Sequence, residues 1–175
     1  MSSAIRVLCV DDHRLMREGI ARIVGVQPDM TVVAEAADGE QAVEQFLRYR
    51  PDVTLMDLEM PTMNGVQAIQ TIRSHQPDAR IVVLTMYHGD EDIFRAVAAG
   101  AMGYLLKDTL PDDLIRVIRD VHAGQRAIPP EIAAALGISG DTASAHIKSI
   151  FLKFNVHART AALAEALRRG IIHIP

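Results

Sequence analysis

The stretch RPDVTLMD, residues 50–57, combines three signals that recur along the first two thirds of this chain. Pro51 follows a segment of helical periodicity and blocks its continuation. Residues 53–56 form a short apolar run, which Asp57 closes. Short β-branched runs that alternate with longer helical segments are typical of a parallel sheet with crossover helices. The stretch therefore indicates an α/β fold.

The same alternation recurs through the first 122 residues. It predicts a five-stranded, doubly wound parallel sheet, because each crossover between parallel strands needs a helix. The predicted strands are Ile5 to Val10, Thr31 to Ala36, Val53 to Met56, Ile81 to Thr85 and Gly103 to Leu106. The predicted helices are Leu15 to Val26, Glu40 to Tyr49, Val66 to His75, Glu91 to Ala99 and Pro111 to His122.

Composition favours a folded chain that does not cross a membrane. The chain has 175 residues, of which 49% are hydrophobic and 23% charged, enough apolar material for a sizeable core. Its one cysteine, Cys9, lies in an apolar run, so we expect a buried thiol and no internal disulfide. We expect a cytoplasmic protein without a membrane partner, because no apolar run approaches the roughly 20 residues of a membrane helix and the N-terminus lacks signal-peptide features.

The distribution of charge and a proline-containing segment divide the chain into unequal parts. Residues 1–122 carry 12 Lys and Arg against 19 Asp and Glu, whereas residues 123–175 carry 6 against 3. Residues 123–130 form a predicted linker that ends in Pro129 and Pro130. Residues 131–175 form a second predicted unit, small and all-α. Its slight excess of basic residues is compatible with nucleic-acid binding.

Polar residues stand at the carboxyl ends of four of the five predicted strands. Asp11 and Asp12 follow the first strand, and Asp57 follows the third. Thr85 ends the fourth strand, and Lys107 follows the fifth. Ligands of doubly wound sheets bind outside the carboxyl ends of the strands, so these side chains are expected to converge. Three carboxylates need a cation between them, and oxygen ligands favour Mg²⁺. A lysine and a hydroxyl suit a phosphoryl group, which leaves Asp57 as the nucleophile.

Longer motifs around these residues resemble the receiver domain of two-component response regulators. The resemblance spans residues 5–122 and implies a sheet in the order 2-1-3-4-5. The motifs are Asp11-Asp12-His13, Met56-Asp57-Leu58-Glu59-Met60-Pro61 with Gly65, Thr85-Met86-Tyr87, Ala99-Gly100-Ala101-Met102-Gly103-Tyr104 and Leu105-Leu106-Lys107-Asp108.

The resemblance implies a role for each acidic residue. Asp57 would accept a phosphoryl group from a sensor histidine kinase. Asp11, Asp12 and Asp57, together with the backbone carbonyl of Glu59, would hold Mg²⁺. In plainer interpretations the Asp residues are helix caps or turn formers, and His13 only begins a helix.

The resemblance also implies phosphoryl-binding and switch residues. Lys107 and Thr85 would bind the phosphoryl oxygens, and the rotamer of Tyr104 would follow the Thr85 hydroxyl. Taken singly, Lys107 could be a solvated charge, Thr85 an ordinary strand end and Tyr104 a packing residue.

The second unit resembles the end of a LuxR-type helix-turn-helix, the output module of the NarL/FixJ class. The family has further sequence between its linker and this point, so the N-terminal part of the module is missing between Pro130 and Glu131. Residues 141–154 resemble the recognition helix, although Ser144 stands where the family usually has a lysine. The implied DNA contacts are Thr142, Ser144, His146, Lys148 and Lys153.

These resemblances predict a transcription regulator that binds promoter DNA and forms a homodimer on phosphorylation. It would not be an enzyme in the usual sense, because the phosphoryl acceptor is part of the protein. The alternative is a receiver-type signalling module that acts through protein contacts, with a shortened tail that does not bind DNA. A dehalogenase-type phosphatase is disfavoured, because Glu59 stands where that family needs a second Asp.

Overall fold

The computed structural model describes residues 4–86 and 90–128, the side chains of Asp90 and Glu91 apart. Its centre is a sheet of five parallel strands in the order β2-β1-β3-β4-β5. The predicted order is therefore confirmed. The strands are β1 (Ile5–Val10), β2 (Met30–Ala36), β3 (Val53–Asp57), β4 (Ile81–Thr85) and β5 (Gly103–Leu106).

A helix follows each strand, as the alternation of the sequence predicted. Every boundary lies within one residue of its predicted position. Asp38 and Asn64 begin two of the helices by accepting hydrogen bonds from the backbone N–H groups of Gln41 and Gln67. The helices are α1 (Arg14–Gly25), α2 (Gly39–Tyr49), α3 (Gly65–His75), α4 (Asp90–Ala98) and α5 (Pro111–His122).

The central strands are buried, as expected of a parallel sheet covered by helices. All residues of β3 and β4 are buried. Ile20 and Val24 of α1 belong to one apolar cluster with Ile118 and Val121 of α5. Cys9 lies in that cluster, and burial raises the pKa of its thiol to about 12. The predicted buried thiol is thus confirmed.

The chain beyond α5 returns to the sheet. The backbone N–H of Tyr104 donates to the carbonyl of Ala127 over 2.9 Å, and the N–H of Ala127 donates to the carbonyl of Met102 over 2.9 Å. Ala127 thereby forms a parallel bridge with Gly103. This residue falls in the segment that the sequence assigned to the linker.

The structure bears on the predicted absence of a membrane helix but not on the predicted second unit. No helix of the described residues is long and apolar enough to cross a membrane. The predicted second unit, residues 131–175, lies outside the described residues, and so do its DNA contacts Thr142, Ser144, His146, Lys148 and Lys153.

Candidate functional site

Asp11 and Asp57 lie on neighbouring strands at the carboxyl end of the sheet. β1 and β3 pair in register from Val7 with Val53 to Val10 with Met56, and the next residue on each chain segment is an Asp. Both residues are buried, with exposed fractions of 0% and 2%. The apolar strands beneath them thus hold two carboxylates away from water, where an uncompensated charge is strongly unfavourable.

Lys107 compensates part of this buried negative charge. Its Nζ lies 2.7 Å from Oδ2 of Asp57 and 2.7 Å from Oδ2 of Asp11. The lysine side chain is only 4% exposed. Its backbone N–H donates to the carbonyl of Thr85 over 2.9 Å, which fixes the turn after β5 against the end of β4.

The pKa shifts of this cluster follow from burial and charge. Burial raises the pKa of the Asp57 carboxyl above its ordinary value, and the hydrogen bond and charge of Lys107 oppose that rise. Burial alone would lower the pKa of Lys107, but its close contacts with the carboxylates of Asp11 and Asp57 outweigh it, so its pKa is raised. The ammonium therefore stays charged at neutral pH between two acidic groups.

The acidic cluster has the ligand chemistry of a divalent cation site. Asp11, Asp12, His13 and Asp57 each offer a ligand atom, and these atoms lie within 4.8 Å of one another. Three of the four are carboxylate oxygens, the ligand type that hard divalent cations take. One ammonium does not balance three carboxylates, so a further positive charge is favoured there. The cluster can thus hold a metal ion.

His13 has more contacts than the sequence indicated. It is the N-cap residue of α1, as predicted, although its side chain makes no capping hydrogen bond. Its Nδ1 lies 2.7 Å from Oδ1 of Asp12. The only sequence signal for this proximity was the adjacency of His13 to the acidic pair.

The remaining predicted residues surround this cluster in different ways. Glu59 is exposed, and its backbone N–H donates to Oδ1 of Asp57 over 3.3 Å. Thr85 is buried at the end of β4, one residue beyond the partner of Asp57 in the sheet register. Tyr104 is buried on β5, opposite Val83 rather than opposite Thr85.

The loop after β3 returns closely to the site. Gly65 begins α3, and its N–H donates to the carbonyl of Leu58 over 3.0 Å. A Cβ on Gly65 would collide with the carbonyl oxygen of Asp57. Glycine at this position therefore lets the helix approach the strand that carries the buried carboxylate.

Sequence reasoning missed Arg17 and Glu35. Arg17 lies in α1 and Glu35 in β2, and the Arg17 Nε donates to Oε2 of Glu35 over 3.2 Å. The Arg17 Nη1 donates to the backbone carbonyl of Asp11 over 2.6 Å. These contacts depend on the register of β2, for which the residue types gave no local signal.

Comparison with protein families agrees with this arrangement. The model of the response regulator receiver domain matches residues 7–119, and the model of the luxR family of bacterial regulatory proteins matches residues 116–166. The second match begins inside α5 and overlaps the first by a few residues. It covers only part of the C-terminal region, which agrees with a shortened DNA-binding module.

A relative that aligns with nearly the whole chain carries residues that this chain lacks. The chain is 34% identical over 212 aligned positions to the uncharacterized transcriptional regulatory protein YxjL of Bacillus subtilis. That alignment covers 96% of this chain and 97% of the relative. It is longer than the 175 residues of this chain, so the difference lies in gaps within it.

Solved structures of response regulators are similar to this chain in both fold and sequence. A LuxR-family two-component response regulator from Aurantimonas sp. SI85-9A1 is 38% identical, with a TM-score of 0.71 over 79% of this chain and 99% of that one. The signal receiver domain of the putative response regulator NarL from Mycobacterium tuberculosis is 33% identical, with a TM-score of 0.68 over 70% of this chain and 99% of that one. This chain therefore belongs to the two-component response regulators that join a receiver domain to a LuxR-type DNA-binding region.

Proposed function

We propose that Asp57 is the phosphoryl acceptor of this regulator and that the reaction requires Mg²⁺. The observation that carries the proposal is the sharing of Lys107 between the buried carboxylates of Asp57 and Asp11, 2.7 Å from each. A buried nucleophile with a cationic partner on one side and further carboxylates on the other suits phosphoryl transfer. The donor is a sensor histidine kinase, as membership of the family implies.

The transfer is an exchange of one bond to phosphorus for another. A carboxylate oxygen of Asp57 attacks the phosphorus of a phosphohistidine, an O–P bond forms, the P–N bond breaks and the imidazole leaves with the bonding electron pair. Water later attacks the acyl phosphate and releases inorganic phosphate, which regenerates Asp57. A bound Mg²⁺ supplies positive charge for the phosphoryl oxygens and would be held by Asp11, Asp12, Asp57 and the backbone carbonyl of Glu59.

Lys107 and Thr85 provide the remaining phosphoryl contacts in this proposal. The Lys107 ammonium is 2.7 Å from Oδ2 of Asp57 before transfer, so it meets a phosphoryl oxygen after a small movement. The hydroxyl of Thr85 hydrogen-bonds a second oxygen, and Tyr104 follows its movement. The protein therefore assists its own phosphorylation and dephosphorylation, although it is not an enzyme in the usual sense.

Phosphorylation would control transcription through the C-terminal region. In this proposal the phosphorylated chain forms a homodimer and binds promoter DNA through residues of the recognition helix. The luxR-family match over residues 116–166 supports this proposed DNA-binding role. A kinase and chromosomal DNA as partners also predict a cytoplasmic location.

The phosphoacceptor is tested by incubating the chain with acetyl phosphate and Mg²⁺ and following the phosphorylated species on a phosphate-affinity gel. The wild type is expected to be labelled, and the Asp57→Asn variant is not. Asp108→Asn is the control, because it removes an exposed carboxylate next to Lys107 and should leave labelling unchanged. Undiminished labelling of Asp57→Asn would show that another residue accepts the phosphoryl group.

A second candidate for the way this regulator acts after phosphorylation follows from the 212 positions of the YxjL alignment, which exceed the 175 residues of this chain. YxjL carries residues that this chain lacks. If the absent residues belong to the DNA-binding module, the chain acts as a receiver module through protein contacts, without DNA binding. A salt titration of labelled duplex DNA decides, before and after treatment with acetyl phosphate. Binding that tightens on phosphorylation and weakens steeply with salt supports the DNA-binding output. Normal phosphorylation without DNA binding in either state supports the second candidate.

A further inference from the structure

Arg17 connects the acidic turn to the neighbouring strand. It lies in the first turn of α1, and its side chain reaches back to the end of β1. Nη1 donates to the carbonyl oxygen of Asp11 over 2.6 Å, and Nε donates to Oε2 of Glu35 over 3.2 Å. The Arg17 side chain is only 16% exposed and donates to two separate acceptors, so it is more ordered than an ordinary surface pair.

The carbonyl that Arg17 binds belongs to the peptide group between Asp11 and Asp12. The other peptide group of Asp11 is held as well, because its N–H donates to the carbonyl of Ala36 over 3.1 Å. Oδ1 of Asp11 accepts the N–H of His13 over 2.8 Å. The backbone of Asp11 is thus held on both sides. Because Arg17 binds the carbonyl of the peptide group between Asp11 and Asp12, it also fixes the orientation of the backbone that leads into Asp12.

Glu35 holds Arg17 in this position through the register of β2. The pairing of β1 with β2 shifts by one residue between Val7 and Leu8, and this shift brings Glu35 opposite Cys9. Glu35 then lies beside the end of β1, where it can accept from Arg17. Without the shift, alternation along the strand would turn its side chain to the other face of the sheet.

We propose that Arg17, held by Glu35, is a positioning residue for the divalent cation of the acidic cluster. It fixes the peptide group between Asp11 and Asp12 so that both carboxylates face the ion together. The inference rests on the proposed function, which assigns a cation to this cluster. Mg²⁺ demands near-octahedral ligand geometry, so its affinity depends strongly on residues that orient the ligands.

A positioning role predicts that removal of Arg17 weakens cation binding, whereas electrostatics alone predicts that it tightens cation binding. A guanidinium near the site repels a cation, so its loss would tighten cation binding by Coulomb's law. Glu35 largely offsets that charge at 3.2 Å from Nε. If orientation of the turn dominates, the loss of Arg17 weakens cation binding. The direction of the change therefore separates a positioning role from a charge effect.

The experiment measures Mg²⁺ binding to the unphosphorylated chain by calorimetry, with Mn²⁺ electron paramagnetic resonance as a second readout. Arg17→Met is expected to raise the Mg²⁺ Kd about tenfold, the lower end of the range for residues that orient metal ligands. Arg17→Lys should give a smaller increase, since one ammonium lacks the fork that reaches both acceptors. Arg14→Met is the matched control, because Arg14 lies on the same helix and, among the described residues, its ion-pair partner is the exposed Glu18.

Phosphorylation by acetyl phosphate provides a separate readout. In Arg17→Met the Mg²⁺ concentration for half-maximal phosphorylation should rise by the same factor as the Kd, with the rate at saturating Mg²⁺ within about twofold of wild type. A merely structural role would instead lower the unfolding temperature and the active fraction without changing the Kd.

The outcomes distinguish this inference from the proposed function. A folded Arg17→Met or Arg17→Lys chain with an unchanged or lower Kd overturns the positioning role, and so does a wild-type chain that binds no Mg²⁺. Failure of Asp57 to accept a phosphoryl group in a wild type that binds Mg²⁺ overturns the proposed function alone. The Kd shift in Arg17→Met would then still support the positioning role.

Discussion

Lys107 Nζ lies 2.7 Å from Oδ2 of Asp57 and at the same distance from Oδ2 of Asp11, so two buried carboxylates share one ammonium. The arrangement leaves unbalanced negative charge at the carboxyl end of the sheet. Such a cluster destabilises the fold unless a cation or a phosphoryl-bound metal completes it.

Asp57→Asn is expected to raise the free energy of unfolding at neutral pH by about 1 kcal/mol, within the range of stabilising substitutions at functional sites. Burial raises the pKa of Asp57, so the folded state disfavours its ionised form. Stability due to this group is present below the carboxyl pKa of the unfolded chain and is lost as pH rises through the folded pKa. Urea unfolding without divalent cations should show a larger gain at pH 7.5 than at pH 4. Equal gains would contradict this cause.

Lys107→Met is expected to lower the free energy of unfolding by about 3 kcal/mol at pH 8, because breaking a buried ion pair leaves an uncompensated charge. The pKa of Asp57 would rise further without its cationic partner, so the loss should shrink as the pH falls and the carboxyl takes up a proton. The control is Arg116→Met, which removes an exposed pair with Asp113 and should change stability by less than about 0.5 kcal/mol. A pH-independent loss in Lys107→Met would refute the charge argument.

Gly65→Ala is expected to lower the free energy of unfolding by about 2 kcal/mol or more, because the added Cβ meets the carbonyl oxygen of Asp57. The displaced strand end should also slow phosphorylation. Gly19→Ala is the matched control, since Gly19 lies in α1 and an added Cβ would meet no other part of the described structure within 4 Å outside the backbone of its own helix. It should stabilise the chain by about 0.5–1 kcal/mol through helix propensity. Similar effects in both variants, measured by urea unfolding, would exclude the steric explanation.

Thr62→Asn is expected to raise the free energy of unfolding by about 1 kcal/mol. Thr62 is exposed and has a φ of 67°, a left-handed conformation that a β-branched residue adopts at a cost and that Asn tolerates. Thr62→Val keeps the branched side chain and should give no gain. Thermal unfolding of the three chains measures the difference, and an equal gain in the Val variant would point away from backbone strain.

Much of the fold could be predicted because its signals are local. Apolar runs of four to six residues gave the strands, and Pro51 and its counterparts gave the ends of helices. Parallel topology then brought Asp11 and Asp57 to one end of the sheet without any contact being known. The charged residues of the site could therefore be predicted from the positions at which the strands end.

The contacts that complete the site could not be predicted in the same way. Arg17 and Glu35 are 18 residues apart, and they meet only because the pairing of β1 with β2 shifts by one residue after Val7. Glycine marks some bulges in advance, but the residues of β2 around this shift include none. His13 was correctly predicted to begin a helix, yet its proximity to Asp12 depends on a side-chain rotamer. Predictions on residues 131–175 remain predictions.

The return of Ala127 to β5 affects where this protein can be cut. β5 is the last strand of the sheet, and Ala127 satisfies the N–H of Tyr104 and the carbonyl of Met102. A fragment that ends at His122 would leave both groups on an open edge, a template for pairing with another chain. Such a fragment is expected to self-associate, whereas one that ends at Ile128 keeps these two groups paired. A terminus chosen at the last turn of α5 is thus expected to favour pairing between copies through the groups that it uncovers.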